Sequence, residues 1–365
     1  MPIYMDRHDV SETVTAEHVA KLHIEDIKIE HLYDCKGLTY WFDDQRKMAF
    51  CLIEAPNKAA IEKMHHHAHG EIPHKIIEVD SVIVESFLGR IEDPEKAANE
   101  LSHVINDPAF RTIMNIGLKP FTLKDNFKSS ASINFQELFD SIIKTIAEKD
   151  GNVVRKNSGA FLVSFQSVSK AMECAMQIQD RAKEFGNSNT LVTIGLDAGV
   201  AVTEKDGIFE AAVKSAQRMS DFVDGPIVVS TEVRSLYELE NPSHVIDLSR
   251  IRTINSSEGR FLNHLIDYLD VTWQKTDLHV GTFGTELGFS KSQFYRKMIE
   301  ITNQSPNIFL KGYRLQKSLQ LLNNRQGSIS EIAFETGFNS PAYFSKCFQA
   351  NFGILPSKYR QEYLA

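Results

Sequence analysis

The run Met64-His65-His66-His67-Ala68-His69 concentrates imidazole in one short stretch, and nine of the chain's 13 histidines lie within residues 1–74. His65 and His69 stand at i and i+4, so on a helix they share a face and can hold one metal ion together. Imidazole suits nickel, copper and zinc alike, so the chemistry is that of a first-row transition metal, with no choice among them. Ligating imidazoles must be neutral, so affinity is expected to fall as pH drops through about 6.5. Two other readings stay open: histidines at a helix C-terminus favour the dipole while remaining solvated, or they line the site of an organic ligand. A different chemistry lies near the other end. Ser290 to Lys297 follows Gly288, and Pro341 to Phe348 follows Gly337. Each is a helix with a polar, cation-bearing face, entered through a glycine turn, the geometry that lets a second helix enter a major groove.

The histidines need a scaffold, and residues 1–80 supply one. Ile3-Tyr4-Met5 reads as a strand, and Thr15 caps a helix to about His31. Leu38–Phe42 and Met48–Ile53 are strands joined by the polar turn Asp43-Asp44-Gln45-Arg46. Pro56-Asn57 opens a second helix that ends at Gly70, and Ile76–Val79 is a last strand. The order βαββαβ is the ferredoxin-like pattern. In it the C-terminal end of the second helix lies beside the C-terminal end of strand one, so His8, His65 and His69 are expected to converge. His74 belongs to the same end of the sheet.

Residues 81–110 read as a charged helical connection, with a helix starting at Asp93-Pro94-Glu95-Lys96. Residues 111–240 carry a second α/β unit, with strands near 111–116, 152–156, 161–165, 191–195, 198–202 and 226–229 and helices over about 135–148, 168–184 and 210–222. Residues 241–260 read as a closing strand and linker, and 261–365 as all helix. There, Val280–Leu287, Gly288 and 290–297 make one helix-turn-helix. Ser305-Pro306 starts a long connector with Ile308, Phe309, Leu315, Leu319 and Leu322 on its apolar side. Ser328 or Ser330 caps a short helix, Gly337 ends it through a positive φ, and Asn339 or Ser340 caps the next, with Pro341 in its first turn. Phe344 and Phe348 bury one face of that helix and leave Tyr343, Lys346 and Gln349 outward.

At 365 residues the chain is too long for one core, and its 42% apolar and 24% charged content is that of an ordinary globular protein. The net charge of −8 argues against nucleic acid only as an average. From residue 261 on there are 11 Lys+Arg against 8 Asp+Glu, and before it 29 against 40. Cys35, Cys51, Cys174 and Cys347 form no C-x-x-C pair, which excludes a disulfide frame or zinc knuckle and implies small buried side chains in a reducing compartment. No apolar run nears the roughly 20 residues that span a bilayer. The opening residues hold an acid and a histidine where a signal peptide needs its apolar stretch. A cytoplasmic protein with no membrane partner is expected.

The last hundred residues closely resemble the AraC/XylS-type DNA-binding domain. The resemblance is carried by Gly288-x-Ser290-x-x-x-x-Tyr295-Arg296-Lys297, Ser305-Pro306, Arg314-Leu315, Ile332-Ala333-x-x-x-Gly337-Phe338, Tyr343-Phe344-Ser345, Phe348, Phe352-Gly353, Pro356-Ser357 and Tyr359-Arg360. It implies two reading helices in adjacent major-groove segments of double-stranded DNA. Ser290, Lys291, Ser292, Gln293 and Arg296 would face the first segment, and Asn339, Ser340, Tyr343 and Lys346 the second. Gly284 departs from that family's usual alanine, which costs its helix roughly 1 kcal/mol. Residues 1–80 resemble small ferredoxin-like nickel-binding proteins through Phe50-Cys51-Leu52-Ile53-Glu54-Ala55-Pro56, Ala68-His69-Gly70 and Ile76-Ile77-Glu78-Val79. Nickel or another first-row ion is thereby implied.

Residues 111–237 resemble the catalytic domain of class III nucleotide cyclases through Arg111-Thr112-Ile113-Met114, Gly151–Lys156, Phe161–Phe165, Ile194–Gly199, Ala216-Gln217-Arg218 and Gly225–Ser230. Such enzymes hold two metal ions on two aspartates and use an asparagine and an arginine at the transition state. Here those positions carry Gly117, Gly159 and Lys214, and Arg218 alone remains. No catalytic residue is assigned, and the unit is expected to dimerise or to sense a ligand.

The expected molecule is multidomain: an α+β ferredoxin-like N-terminal domain, an α/β cyclase-like middle domain and an all-α double helix-turn-helix. It is expected to be a DNA-binding transcription regulator rather than an enzyme, responsive to a transition metal or small ligand, homodimeric, with RNA polymerase as a further partner. The rivals are a nucleotide cyclase fused to a DNA-binding domain and a metal store or chaperone with a fused regulator.

Overall fold

The computed structural model describes residues 1–93, 104–105, 107–120, 129–157, 159–184, 190–243, 249–278, 280–324 and 327–363. Strand β1 (Ile3–Asp9), helix α1 (Ala16–Ile29), strands β2 (Lys36–Asp43) and β3 (Met48–Glu54), helix α2 (Lys58–Ala68) and strand β4 (Lys75–Val79) form a sheet of order β2-β3-β1-β4. That is the βαββαβ plan the sequence predicts. Helix α1 begins at the capping box of Thr15 and His18, and α2 where the Asn57 side chain accepts from the Ala60 amide. The strands are apolar on both faces because both are covered. Tyr4, Tyr40, Cys51 and Ile76 pack with α1 and α2, whereas Met5, Trp41, Phe50, Leu52 and Ile77 face away from those helices.

Helix α3 (Ser81–Leu88) follows, capped by Asp80 and ended at Gly89 in the left-handed region. The helix start expected at 94–96 lies outside the described residues. Strand β5 (Phe110–Pro120), helix α4 (Ser129–Glu148), strands β6 (Asn152–Asn157) and β7 (Ala160–Phe165), helix α5 (Val168–Glu184) and strand β8 (Thr190–Val200) repeat the connectivity of the first sheet. Helix α6 (Glu210–Phe222), strand β9 (Ile227–Ser230), helix α7 (Thr231–Glu240) and strand β10 (Ile251–Ile254) extend it to the order β10-β9-β8-β5-β7-β6. The repeat is one of topology and leaves no trace in the sequence.

Three expectations need correction here. Residues 191–195 and 198–202 are not two strands, because β8 pairs without interruption with β5 from Thr190↔Pro120 to Val200↔Phe110. The Ser230 side chain caps a helix, α7, where none was expected. Residues 241–260 are not a linker after their strand. Strand β10 runs parallel to β9, and helix α8 (Ser256–Thr272) starts immediately after it on a capping box of Asn255 and Glu258.

The second sheet packs one face on α4, α5 and α7. Toward its other side, Met5, Trp41, Leu52 and Ile77 of the first sheet join Phe87, Ile113, Leu162, Val202, Phe209 and Ala212 in one core. Helix α6 lies so close on β8 that a Cβ at Gly195 would stand 2.1 Å from the Ala216 carbonyl oxygen and 2.7 Å from the Ser220 nitrogen.

After α8 come α9 (Val280–Glu286), α10 (Lys291–Thr302), α11 (Pro306–Asn323), α12 (Ile329–Glu335), α13 (Pro341–Phe352) and α14 (Pro356–Tyr363). Along α11 the apolar side rotates. Phe309, Leu310 and Tyr313 serve the core around α8–α10, and Leu315 and Leu322 the core around α12–α14. Ile308, expected on that side, is 54% exposed because it belongs to neither core. At Gly284 an alanine Cβ would meet the Phe289 carbonyl oxygen and the Phe294 Cβ, each at 3.2 Å, so glycine there lets α9 approach α10. Among the described residues no helix is long and apolar enough to cross a membrane.

Candidate metal centre and nucleic-acid interface

Side chains alternate along β1, so Asp6 and His8 share one face while Met5 lies on the other, toward the second sheet. The end of α2 delivers His65 and His69 to the same place. The ring centroids of His8 and His65 are 5.0 Å apart, and those of His65 and His69 are 5.2 Å apart. The three expected histidines are thus brought together. His69 is the C-cap of α2 rather than a helical residue, its amide donating to the His65 carbonyl at 3.0 Å. His66 is exposed, and the His67 Nδ1 lies 2.8 Å from the Tyr33 hydroxyl, so neither belongs to the group.

His65 is buried between two carboxylates. Its Nε2 lies 2.9 Å from Asp6 Oδ2 and its Nδ1 3.0 Å from Asp26 Oδ1. His8 Nε2 is 3.6 Å from Asp6, and His69 Nε2 is 3.3 Å from Asp26. Asp6, His8, Cys51 and His65 can each bring one donor atom within 4.8 Å of the others, and Asp26, His65 and His69 form a second such set. His65 is common to both. A cavity of about 40 Å³ opens among His8, Asp26, Cys51, His65, His69 and His74. That is room for one ion.

Burial alone would push the Asp6 carboxyl up, but the charge of His8 and the hydrogen bonds of His65 and His8 hold it well below the usual carboxylate range. Asp26 is likewise lowered, against its burial, by His65 and His69. Burial works to lower His65, yet the hydrogen bonds its ring donates to Asp26 and Asp6 win and raise it to about 10. Nitrogen, carboxylate and thiol donors around a small cavity fit a first-row transition metal. The metal must displace the His65 proton, so the expected pH dependence shifts: affinity should go on rising above 6.5 rather than level off there.

Asp6, Asp26 and Cys51 were not among the expected ligands. Asp6 was findable, standing two residues before His8 and so on the same strand face. Asp26 and Cys51 carry no local signal, and only the packing of α1 and β3 brings them in. All four cysteines are free and buried, and Cys51 combines that with a place in the donor set.

At the C-terminus the glycine turns stand as expected, Gly288 and Gly337 both at φ 76. Ser290 caps α10 in a capping box with Gln293, Ser328 rather than Ser330 caps α12, and Ser340 rather than Asn339 caps α13. The hydroxyls of Ser290 and Ser340 and the amide of Gln293 are therefore held at helix starts. Lys291, Ser292, Gln293 and Arg296 are exposed on α10, and Asn339, Tyr343 and Lys346 on α13 or just before it, over the buried Phe294, Phe344 and Phe348. Grooves of about 690 and 670 Å³ flank Ile308 and Lys311 of α11, and both reach Tyr343. Lys346 lines the first, Asn339 and Ser340 the second.

In the middle unit Gly117 pairs with Ala160, and the Leu118 amide donates to the Gly159 carbonyl, so positions 117 and 159 are neighbours without a carboxylate. Lys214 pairs with Glu210 one turn earlier in α6. Arg218 reaches α8, donating to Asn263 Oδ1 at 2.7 Å and pairing with Asp267.

Comparison with known proteins adds two matches. Residues 283–362 match the family model described as a helix-turn-helix domain, and residues 4–79 the one described as nickel responsive protein SCO4226-like. The chain is 33% identical over 136 residues to Histidine kinase P4 of Formosa agariphila, covering 37% of this chain and 10% of that protein. It is 32% identical over 115 residues to the Msm operon regulatory protein of Streptococcus mutans, covering 32% and 41%. Less than half of either relative is therefore spanned. The solved DNA-binding domain of AdpA in complex with a target DNA is 24% identical, over 28% of this chain and 90% of that one, with a TM-score of 0.27.

Proposed function

Because its C-terminal segment is an AraC-type helix-turn-helix domain and its N-terminal segment an SCO4226-like one, we propose that the whole chain is a DNA-binding transcription regulator that responds to a transition metal. The observation that carries this reading is the pair of capped, exposed helices, α10 and α13, each the second helix of a helix-turn-helix unit, the units α9–α10 and α12–α13 being joined by the single helix α11. A continuous helical connector holds two reading helices at a set spacing, as adjacent major-groove segments require. Lys291, Ser292, Gln293 and Arg296 would serve the first segment, and Asn339, Tyr343 and Lys346 the second, with Ser290 and Ser340 presenting helix N-termini to phosphate. A second copy of the chain and RNA polymerase are the further partners this reading assigns.

The full chain should select a duplex from a random pool, bind it with strong salt dependence, and protect two segments about 10 base pairs apart. Arg296→Ala should weaken binding by roughly 1–3 kcal/mol and relax preference at one position. Equal affinity for all duplexes at physiological salt would sink the proposal.

Asp6, His8, Cys51 and His65 would hold the metal, with Asp26 and His69 the second donor set around the same His65, and the ion would supply a cation to two buried carboxylates. Nickel is the ion we assign, in keeping with the SCO4226-like match. Were nickel to bind without altering DNA affinity, a storage role would replace sensing.

We read the middle unit as a cyclase-derived scaffold without cyclase chemistry. Incubated with ATP or GTP and manganese, the protein should form no cyclic nucleotide, since positions 117 and 159 offer no metal ligand. Product formation abolished by Arg218→Ala would overturn that assignment.

A further inference from the structure

Helix α6 touches the metal-site unit near one end and the DNA-binding unit near the other. At its start, the loop from β8 lies under the first sheet. Arg7, between Asp6 and His8 on β1, donates to the Val202 carbonyl at 3.3 Å and to Glu204 at 3.1 Å. Lys75 of β4 reaches Asp206 at 3.2 Å. Glu204 and Asp206 are largely exposed, so these ion pairs register the loop more than they hold it. The grip comes from Met5 and Ile77, which share a core with Val202, Phe209 and Ala212.

Phe209, the N-cap of α6, sits at φ 53 and ψ 18, in the left-handed region. A bulky residue stays there only when its surroundings over-determine it. Here the ring is buried, 5.0 Å from the ring of Phe87.

At the other end, Arg218 holds Asn263 and Asp267 of α8. The Phe222 ring lies 5.5 Å from Phe309 and 5.9 Å from Tyr313 of α11. Beyond it the Asp224 amide donates to the Ile301 carbonyl of α10 at 3.2 Å. Between the two ends, Ala216 and Ser220 rest on Gly195 with no room for a methyl group.

We propose that α6 is a lever, pivoting on Gly195 and hinged at Phe209, through which occupancy of the histidine site changes DNA affinity. The inference rests on the metal-responsive reading above. A ring nitrogen of His65 that ligates an ion cannot also bond a carboxylate, so uptake must rearrange Asp6 on β1 or Asp26 on α1. Strand β1 presents Asp6 and His8 on one face and Met5 on the other, so a shift of β1 reaches the loop through Arg7 and Phe209 through the core that it shares with Met5. A relaxed Phe209 frees the start of α6, and the pivot carries the change to α8, α10 and α11. Packed elements of this kind have discrete arrangements, and both sites bias the same one.

The test titrates the full chain against a duplex recovered from a random pool, with and without saturating nickel chloride. Wild type should show at least about a fivefold difference in DNA affinity. Phe209→Gly adopts the left-handed conformation without strain and lacks the ring. Phe222→Leu keeps most of the volume at the far end and lacks the stacked contacts, and it decides the matter should the glycine variant not fold. Both should bind nickel as wild type does, by calorimetry, while the nickel-dependent difference collapses toward one. A full nickel response in the folded variants would overturn the lever alone. A wild type with no response would overturn the metal-responsive reading and the lever with it.

Discussion

His65→Ala should both abolish stoichiometric nickel binding and destabilise the metal-free N-terminal unit by about 3–5 kcal/mol, the usual cost of leaving a buried charge without its partner. The size follows from position. His65 is 1% exposed and bridges Asp6 and Asp26, at 1% and 4%, so alanine removes the shared partner of two buried carboxylates at once and leaves them only the longer contacts to His8 and His69. It also deletes the donor common to both candidate clusters. The pair His65→Ala with His69→Ala should likewise bind no nickel, whereas His66→Ala, exposed on another face, should bind it as wild type does. Calorimetry and thermal unfolding read the two effects separately. Retained stoichiometric binding in His65→Ala would place the ion elsewhere.

The same network sets a pH profile. The folded His65 is raised to about 10 from an ordinary value near 6.5, so its contribution is complete below 6.5 and is lost as pH rises through 10. Asp6 and Asp26 are lowered, so theirs is complete above about 4 and is lost in acid. Metal-free protein should be most stable between those limits, and the alkaline decline should be flatter in His65→Ala.

Gly195→Ala should be the most damaging single methyl group in the middle unit among those considered. The new Cβ would fall 2.1 Å from a backbone oxygen of α6, and backbone cannot rotate aside as a side chain can. Overpacking typically costs about 1–3 kcal/mol. Because the whole helix must lift off β8, a loss at the top of that range or beyond is expected. Helix α6 also carries Phe209, Arg218 and Phe222, so the variant should change DNA affinity as well as melting temperature. A melting temperature within about 2 °C of wild type would show that α6 can lift without cost.

Residue types and spacing alone determine the features made by neighbours in sequence. Thr15, Asn57, Ser290 and Ser340 cap the helices they precede, since a cap bonds amides two or three residues on. Gly288 and Gly337 turn the chain where positive φ is needed. The alternation and helical periods of residues 1–80 suffice for the βαββαβ order, and with that order the meeting of His8, His65 and His69 follows.

What the tertiary structure decided joins residues far apart in the chain. Asp26 and Cys51 enter the donor set because α1 and β3 pack beside α2 and β1. Arg218 binds α8 because the domain that follows folds back onto α6. The exposure of Ile308, the single long β8 and the pairing of β10 with β9 follow from partners that no local window contains, whereas the start of α8 carries the local signal of the Asn255–Glu258 capping box. Local bonds bias the chain wherever it is, whereas burial and charge pairing exist only once distant segments have met, so sequence periodicity reports the first and is silent on the second.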